Sequence, residues 1–213
     1  MGLTWRLKDE LPAAKQCYYG KILRGRPCLV ALDLFPAFYA LVRAAQRARD
    51  YRIEFRDGRL TLTARRIMDA LTAEHPQYTR GLRASCFMLE ARQTREFERA
   101  MGELQQGLWI VKTEERYEPS FSYRWDLLEA WLPEEVAAGR RMSRAAAAAA
   151  LVERHARAAI YTRPGALRRL FPLSEAETAA AVTTLTTRGL LEETAVAGWP
   201  GRWLVHAAAR RTR

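Results

Sequence analysis

The tripeptide Tyr78-Thr79-Arg80 recurs as Tyr161-Thr162-Arg163, an offset of 83 residues, and the surroundings of the two copies run in parallel. Ahead of the first copy Leu62, Ile67, Met68 and Leu71 recur at helical spacing. Ahead of the second an Ala-rich stretch from Ser143 carries Leu151, Val152 and Ile160. Each copy therefore follows an amphipathic helix. A short Arg/Leu helix comes next, Arg80 to Phe87 and Pro164 to Phe171, with Thr79 and Thr162 placed as N-caps. A third helix then starts, at Thr94 in one copy and at the capping box Ser174-Glu175-Ala176-Glu177 in the other. These helices put Phe97, Met101 and Leu104, and likewise Val182 and Leu185, on one face. They stop at Gly107 and Gly189, where left-handed C-caps are expected.

Strand-like sequence follows each glycine, Leu108-Trp109-Ile110-Val111 in one copy and Leu190-Leu191 to Val196 in the other. The first returns through Phe121, Tyr123 and Trp125 after an acidic Glu114 to Pro119 loop. The second turns at Gly198-Trp199-Pro200-Gly201 into Arg202-Trp203-Leu204-Val205. Three helices and a β-hairpin outline a winged helix-turn-helix, so the expected fold is mainly α (α+β), with two such units at 59–133 and 134–213. Residues 1–58 differ. Arg24-Gly25-Arg26-Pro27 reads as a turn, and Leu29 to Val42 is an apolar strand or helix that should dock on the first unit, with Asp57-Gly58 at the boundary. A chain of 213 residues buries roughly 70% of its unfolded surface, enough for a core without staples.

Thirty-five Lys and Arg against 24 Asp and Glu leave a net charge of +11, which invites a polyanionic partner. Almost all the cations are Arg, in a chain equally heavy in Ala and Leu, and GC-rich coding alone generates that profile. The distribution says more: residues 1–58 carry +5, residues 59–133 carry 0 and residues 134–213 carry +6. Catalytic signatures are missing. His75, His155 and His206 have no metal spacing, no nucleophile elbow or phosphate loop occurs, and paired glutamates such as Glu114-Glu115 read as solvated surface. No cofactor is expected. Cys17, Cys28 and Cys86 are an odd, scattered set, which argues against disulfides or zinc and for a reducing cytoplasm. Met1 to Glu10 has no signal core and Cys28 to Leu32 stops at Asp33, so no membrane span is expected.

Duplex DNA is the expected partner, met by the third helix in the major groove and by the wing on the backbone or minor groove. Candidate contacts are Arg92, Arg95 and Arg99 on the first third helix, beside repelling Glu96, Glu98 and Glu103, and Arg188 with Thr183, Thr184 and Thr187 on the second. Arg80 and Arg83, and Arg163, Arg168 and Arg169, lie on the two short helices that meet phosphates in this fold. Trp199 beside Arg202 joins an aromatic surface to a guanidinium at the second wing. Arg24-Gly25-Arg26-Pro27 matches a minor-groove hook, but the apolar segment after it favours a structural turn.

Several short motifs carry a family resemblance: Tyr18-Tyr19-Gly20-Lys21, Arg24-Gly25-Arg26-Pro27, Phe35-Pro36-x-Phe38-Tyr39, Ala64-Arg65-Arg66-Ile67-Met68-Asp69-Ala70-Leu71, Thr79-Arg80-x-Leu82-Arg83 and Glu103-Leu104-Gln105. With them the chain resembles the bacterial tandem winged-helix proteins related to the AlkZ (YcaQ) crosslink-repair DNA glycosylases. The resemblance implies a winged-helix array that cradles DNA. Those glycosylases carry a catalytic Gln-x-Gln or Gln-x-Asp near the N-terminus, and none of the glutamines here, at 16, 46, 77, 93, 105 and 106, fits it. The catalytic assignment does not carry over, and a shortened relative can keep a scaffold without its chemistry. A DNA glycosylase acting on alkylated or crosslinked bases and a protein-interaction module that forms homodimers are the alternative readings.

Overall fold

The structure, a computed structural model, describes residues 3–43 and 50–210, so Gln46 lies outside the described residues. Helix α1 (Leu3–Ala13) leads into a hairpin of β1 (Cys17–Leu23) and β2 (Arg26–Ala31), whose turn residues Arg24 and Gly25 both have positive φ, at 54° and 67°. That pair of angles matches the right-handed twist of the flanking strands. Helices α2 (Phe35–Arg43) and α3 (Tyr51–Arg56) follow. The stretch from Leu29 to Val42 is thus the end of a strand and then a helix.

The first repeat unit comprises α4 (Leu62–Ala73), β3 (Gln77–Tyr78), α5 (Thr79–Ser85), α6 (Thr94–Gln106), β4 (Ile110–Arg116) and β5 (Ser122–Leu127). Two connecting helices, α7 (Leu128–Trp131) and α8 (Pro133–Arg141), lead to the second unit. It comprises α9 (Arg144–Ala159), β6 (Tyr161–Thr162), α10 (Pro164–Leu170), α11 (Glu175–Thr187), β7 (Leu191–Val196) and β8 (Trp199–His206). The element order is the same in both. So is the strand order, β3-β5-β4 in one antiparallel sheet and β6-β8-β7 in the other. The protein is helix-rich with small antiparallel sheets, the α+β class read from the sequence.

Several local expectations need correction. Thr79 and Thr162 cap nothing: Thr79 is the first residue of α5, whose cap position is Tyr78, and Thr162 lies in β6. The Thr79 hydroxyl is claimed by the sheet, accepting from Trp125 Nε1 at 3.0 Å and donating to the Tyr123 carbonyl at 3.1 Å, while Thr162 Oγ1 meets His155 Nε2 at 3.2 Å. Helix α10 begins at Pro164, which has no N–H to satisfy. Nor is Thr94 a cap, because a 3₁₀ turn at Ala91–Gln93 precedes α6 and carries its own box between Glu90 and Gln93. The repeated tripeptide is itself out of register by one: Tyr78 and Thr162 are the second residues of their short strands. What truly repeats is the apolar pattern.

The C-caps split. Gly189 takes the left-handed conformation at φ 69°, whereas Gly107 has φ −76° and Leu108, at φ 55°, makes the left-handed turn. The first returning hairpin starts at Ile110 rather than Leu108, and Glu114 to Arg116 belong to its strand. In the second, the turn is at Ala197-Gly198, so Trp199 already sits in β8, and Pro200-Gly201 form a bulge there. The Ser174–Glu177 capping box is present, with N–H to side-chain oxygen distances of 3.1 and 2.8 Å.

Two apolar clusters hold these parts. One joins α3 to α4, α5, α6 and the sheet through Tyr51, Ile67, Leu71, Leu82, Leu104, Ile110 and Trp125. The other joins the N-terminal Tyr18, Phe35, Phe38 and Leu41 to Val136 of α8 and to Leu151, Leu167, Leu185 and Leu204 of the second unit. Residues 1–58 are therefore divided: α1 packs on β4, β1 lies on α6, and α2 packs against α8 and α9. Arg144 ties α2 to the second unit, donating to the Leu41 carbonyl, to the Pro172 carbonyl at 2.8 Å and to Glu177.

Candidate nucleic-acid interface

A cleft of about 1390 Å³ opens where the N-terminal hairpin, the first unit and the second unit meet. Its walls carry six cations, Lys21, Arg24, Arg59, Arg99, Arg144 and Arg169, against two carboxylates, Glu103 and Glu177. Both carboxylates are engaged. Glu103 accepts from the Thr61 N–H and hydroxyl at 2.8 and 2.7 Å, and Glu177 is held by Arg144 and Ser174. Hydrogen bonds from Arg144 and Ser174 pull the Glu177 carboxyl down to about 2. Arg59 is committed to Glu54 and Asp57 at 2.9 and 2.8 Å, and Arg144 to the contacts above. Lys21, Arg24, Arg99 and Arg169 have no carboxylate partner among the described residues. Set against Glu103, whose charge has no cationic partner among the described residues, these four cations leave the concavity net positive, and a concave surface focuses that field.

They arrive by separate routes. Lys21 and Arg24 come from the end of β1 and its turn, Arg99 from α6, and Arg169 from the last turn of α10. Arg99 and Arg169 are candidates from the sequence, Arg24 belongs to the motif read there as a structural turn, and Lys21 is not among the candidates. The signals for this segment are the basic excess of residues 1–58 and the Arg24-Gly25-Arg26-Pro27 motif, and only the tertiary fold shows that the hairpin tip reaches α6.

The other sequence candidates are dispersed. Arg83 is half-buried and structural, donating to the Met88 carbonyl at 2.7 Å, the Glu90 carbonyl at 3.0 Å and Thr94 Oγ1 at 3.1 Å. Arg92 pairs with Glu90 at 2.6 Å, Arg168 with Glu175 at 2.6 Å and Arg202 with Glu193 at 2.8 Å. Arg163 stacks on Trp203, 3.7 Å from the ring centre, and Trp199 covers the same ring edge-on at 4.8 Å, remaining 59% exposed. Arg80, Arg95 and Arg188 are exposed and have no partner among the described residues.

Beside the cleft, across the hairpin, lies an aromatic pocket of about 430 Å³ walled by Tyr19, Phe97, Phe121, Tyr123 and Trp125. Lys112 borders it, its ammonium 4.2 Å from the Tyr19 ring centre. That lysine belongs to a largely buried ion network along β4 of the first unit: Lys112 donates to Glu115, Lys8 to Glu115 at 2.7 Å, and Tyr117 to Asp9 at 2.7 Å and to Glu115 at 3.0 Å. Burial pushes the Glu115 carboxyl up, but the hydrogen bonds from Lys112 and Lys8 outweigh it and bring it down to about 2. Burial lowers the Lys112 ammonium despite its partner.

The histidines serve the fold. His75 meets Asp126 at 2.6 Å, His155 meets Thr162, and His206 Nδ1 accepts from the Ala208 N–H at 3.1 Å. No group of three His, Cys, Asp or Glu able to hold a metal occurs among the described residues, and no helix there is long and apolar enough to cross a membrane.

Fold and surface together define a class: an α+β protein in which one helix-strand-helix-helix-hairpin unit occurs twice, with a basic cleft between the copies. The family model described as AlkZ related matches residues 1–172, from the N-terminus to just beyond α10. The chain belongs to this AlkZ-related family, and the membership links it to DNA repair at the level of the family. No curated protein and no solved structure matches it.

Proposed function

We propose that the two units are winged helix-turn-helix modules in tandem and that the protein binds double-stranded DNA in the cleft between them, in a repair-linked role with no base-excision chemistry of its own. One observation carries the reading: Lys21, Arg24, Arg99 and Arg169, contributed by three elements far apart in the chain, face one cavity without carboxylate partners among the described residues. Such charges attract phosphate and release counterions on binding. Codon usage does not direct cations to one concave surface, so these four support the reading, whereas Arg163, Arg168 and Arg202 lie away from the cleft and lend it nothing.

The test is fluorescence anisotropy of a labelled duplex across a salt series. Affinity should fall steeply with salt, and Arg99→Ala combined with Arg169→Ala should flatten the log–log slope by about two units. Arg168→Ala with Arg202→Ala, which removes guanidiniums already paired to Glu175 and Glu193, should change it far less. Binding weaker than about millimolar and indifferent to salt rejects the proposal.

A further inference from the structure

The loop between α5 and α6 exposes a residue that local chemistry does not favour. Phe87 follows the C-cap of α5 at φ 56°, the left-handed position where glycine is the usual choice. Its side chain is 90% exposed, more than any other large apolar residue described, and Leu89 beside it is 58% exposed. Met88, between them, is buried and already anchors the loop. Glycine at 87 would relieve the backbone and remove the exposed ring, so phenylalanine there works against the fold on both counts.

The pedestal beneath it is braced. Gln93 donates to the Phe87 carbonyl at 3.3 Å and accepts from the Glu90 N–H at 3.2 Å, while Arg83 fastens Met88, Glu90 and Thr94. A ring held this way is presented in a fixed position, which a contact residue requires and a merely solvated loop does not.

Charge names the occupant. Arg80 precedes the loop and Arg95 follows it, both exposed and without a partner among the described residues. Arg95 and Arg99, four apart on α6, stand on one helix face. Arg99 lies about 8 Å along α6 from its start and lines the basic cleft. The distance from loop to cleft is thus well under one duplex turn of about 34 Å. Of the carboxylates in the same stretch, Glu90 is paired with Arg92 and Glu96 accepts from Thr63, while Glu98 is exposed, and an apolar ring flanked in sequence by the unpaired Arg80 and Arg95 suits a base step flanked by phosphates.

We infer that Phe87, supported by Leu89, is a wedge that inserts between base pairs of the duplex held in the cleft. The inference rests on the DNA-binding reading above. Its test reads binding and unstacking on one complex, using anisotropy and the fluorescence of 2-aminopurine placed at successive positions of a duplex. The wild-type protein should raise the fluorescence at one step by about threefold or more. Phe87→Gly should abolish that rise without losing thermal stability and with the salt slope unchanged, and Phe87→Trp should retain it. Binding without any rise, or a rise that survives Phe87→Gly, overturns the wedge alone. No binding at low salt overturns the cleft reading and the wedge together. A wild-type dimer that Phe87→Gly converts to monomer overturns the wedge and assigns the ring to a second copy of the chain.

Discussion

The two repeat units share every α-helix and strand and the order of their strands, yet they treat their third helices in opposite ways. In the first, β1 lies on α6, so that helix separates the aromatic pocket from the basic cleft and only its start and the Arg99 side remain open. In the second, nothing comparable among the described residues covers α11, and after Glu175 its exposed residues are Ala176, Ala179, Ala180, Thr183, Thr184, Thr186 and Thr187, with no charge. The hairpins differ as well. The first holds the largely buried Lys8–Lys112–Glu115 network along β4, the second a stack of Arg163, Trp203 and Trp199 at the surface. Duplication has kept the topology and reassigned the surfaces, so a given position in the unit does not have the same task twice.

The largest expected effect asks whether the two units nonetheless stand or fall together. Leu82 in α5 and Leu167 in α10 occupy matching places and are fully buried. Leu82→Ala and Leu167→Ala should each cost about 4 kcal/mol, within the range for buried leucines. Leu82 sits in the cluster that joins α3 to the first unit, and Leu167 in the one that holds the N-terminal α2. Hydrogen exchange should therefore show Leu167→Ala loosening α2 and α8 along with the second unit, and Leu82→Ala loosening α3 to β5 first. Identical protection patterns in both variants would mean that the clusters form one cooperative body.

Next in size is the ion network, which has no counterpart in the second hairpin. The Glu115 side chain is only 3% exposed and that of Lys112 7%. Glu115→Ala leaves the lysine buried with Asp9 at 3.9 Å, and should destabilise the first unit by about 3 kcal/mol in denaturant unfolding. The pH dependence follows from the direction of the shift. Glu115 is held down to about 2 in the folded chain against an ordinary value of about 4.3. Its contribution is complete above the ordinary value and is lost as pH falls from there toward 2. Wild-type stability should drop across that window, and Glu115→Ala should drop less. Equal acid sensitivity would shift the burden to Glu177, the other carboxylate brought down to about 2.

What the sequence disclosed of this molecule follows from how far each signal reaches. Helical spacing of Ile67, Met68 and Leu71, or of Phe97, Met101 and Leu104, is local, and the helices lie where it puts them. The Ser174–Glu177 box is local too, and it formed. Thr79 and Thr162 failed as caps because a hydroxyl beside a sheet has other suitors, Trp125 in one case and His155 in the other, and nothing within four residues announces them. The candidate site shows the same limit. Arg99 and Arg169 were legible as exposed cations on helices. Their meeting with Lys21 and Arg24 depends on a hairpin folding back onto α6 some 80 residues later in the chain, a contact invisible to periodicity.

The smallest effect separates two glycines that read alike in sequence, each closing a third helix. Gly189 sits at φ 69° with open space where a Cβ would be, so Gly189→Ala meets only backbone strain and should cost about 1 kcal/mol. Gly107 has an ordinary φ, but a Cβ there would lie 2.8 Å from Trp109 Cδ1 and 3.3 Å from the Glu103 carbonyl, so Gly107→Ala fails through crowding. Asparagine tells the two causes apart, since it tolerates the left-handed region yet carries a Cβ. Gly189→Asn should recover most of the melting temperature lost in Gly189→Ala, whereas Gly107→Asn should fare no better than Gly107→Ala. If both positions respond to asparagine in the same way, the two helix ends are closed by one mechanism, and the assignment of the left-handed turn to Leu108 in the first unit is wrong.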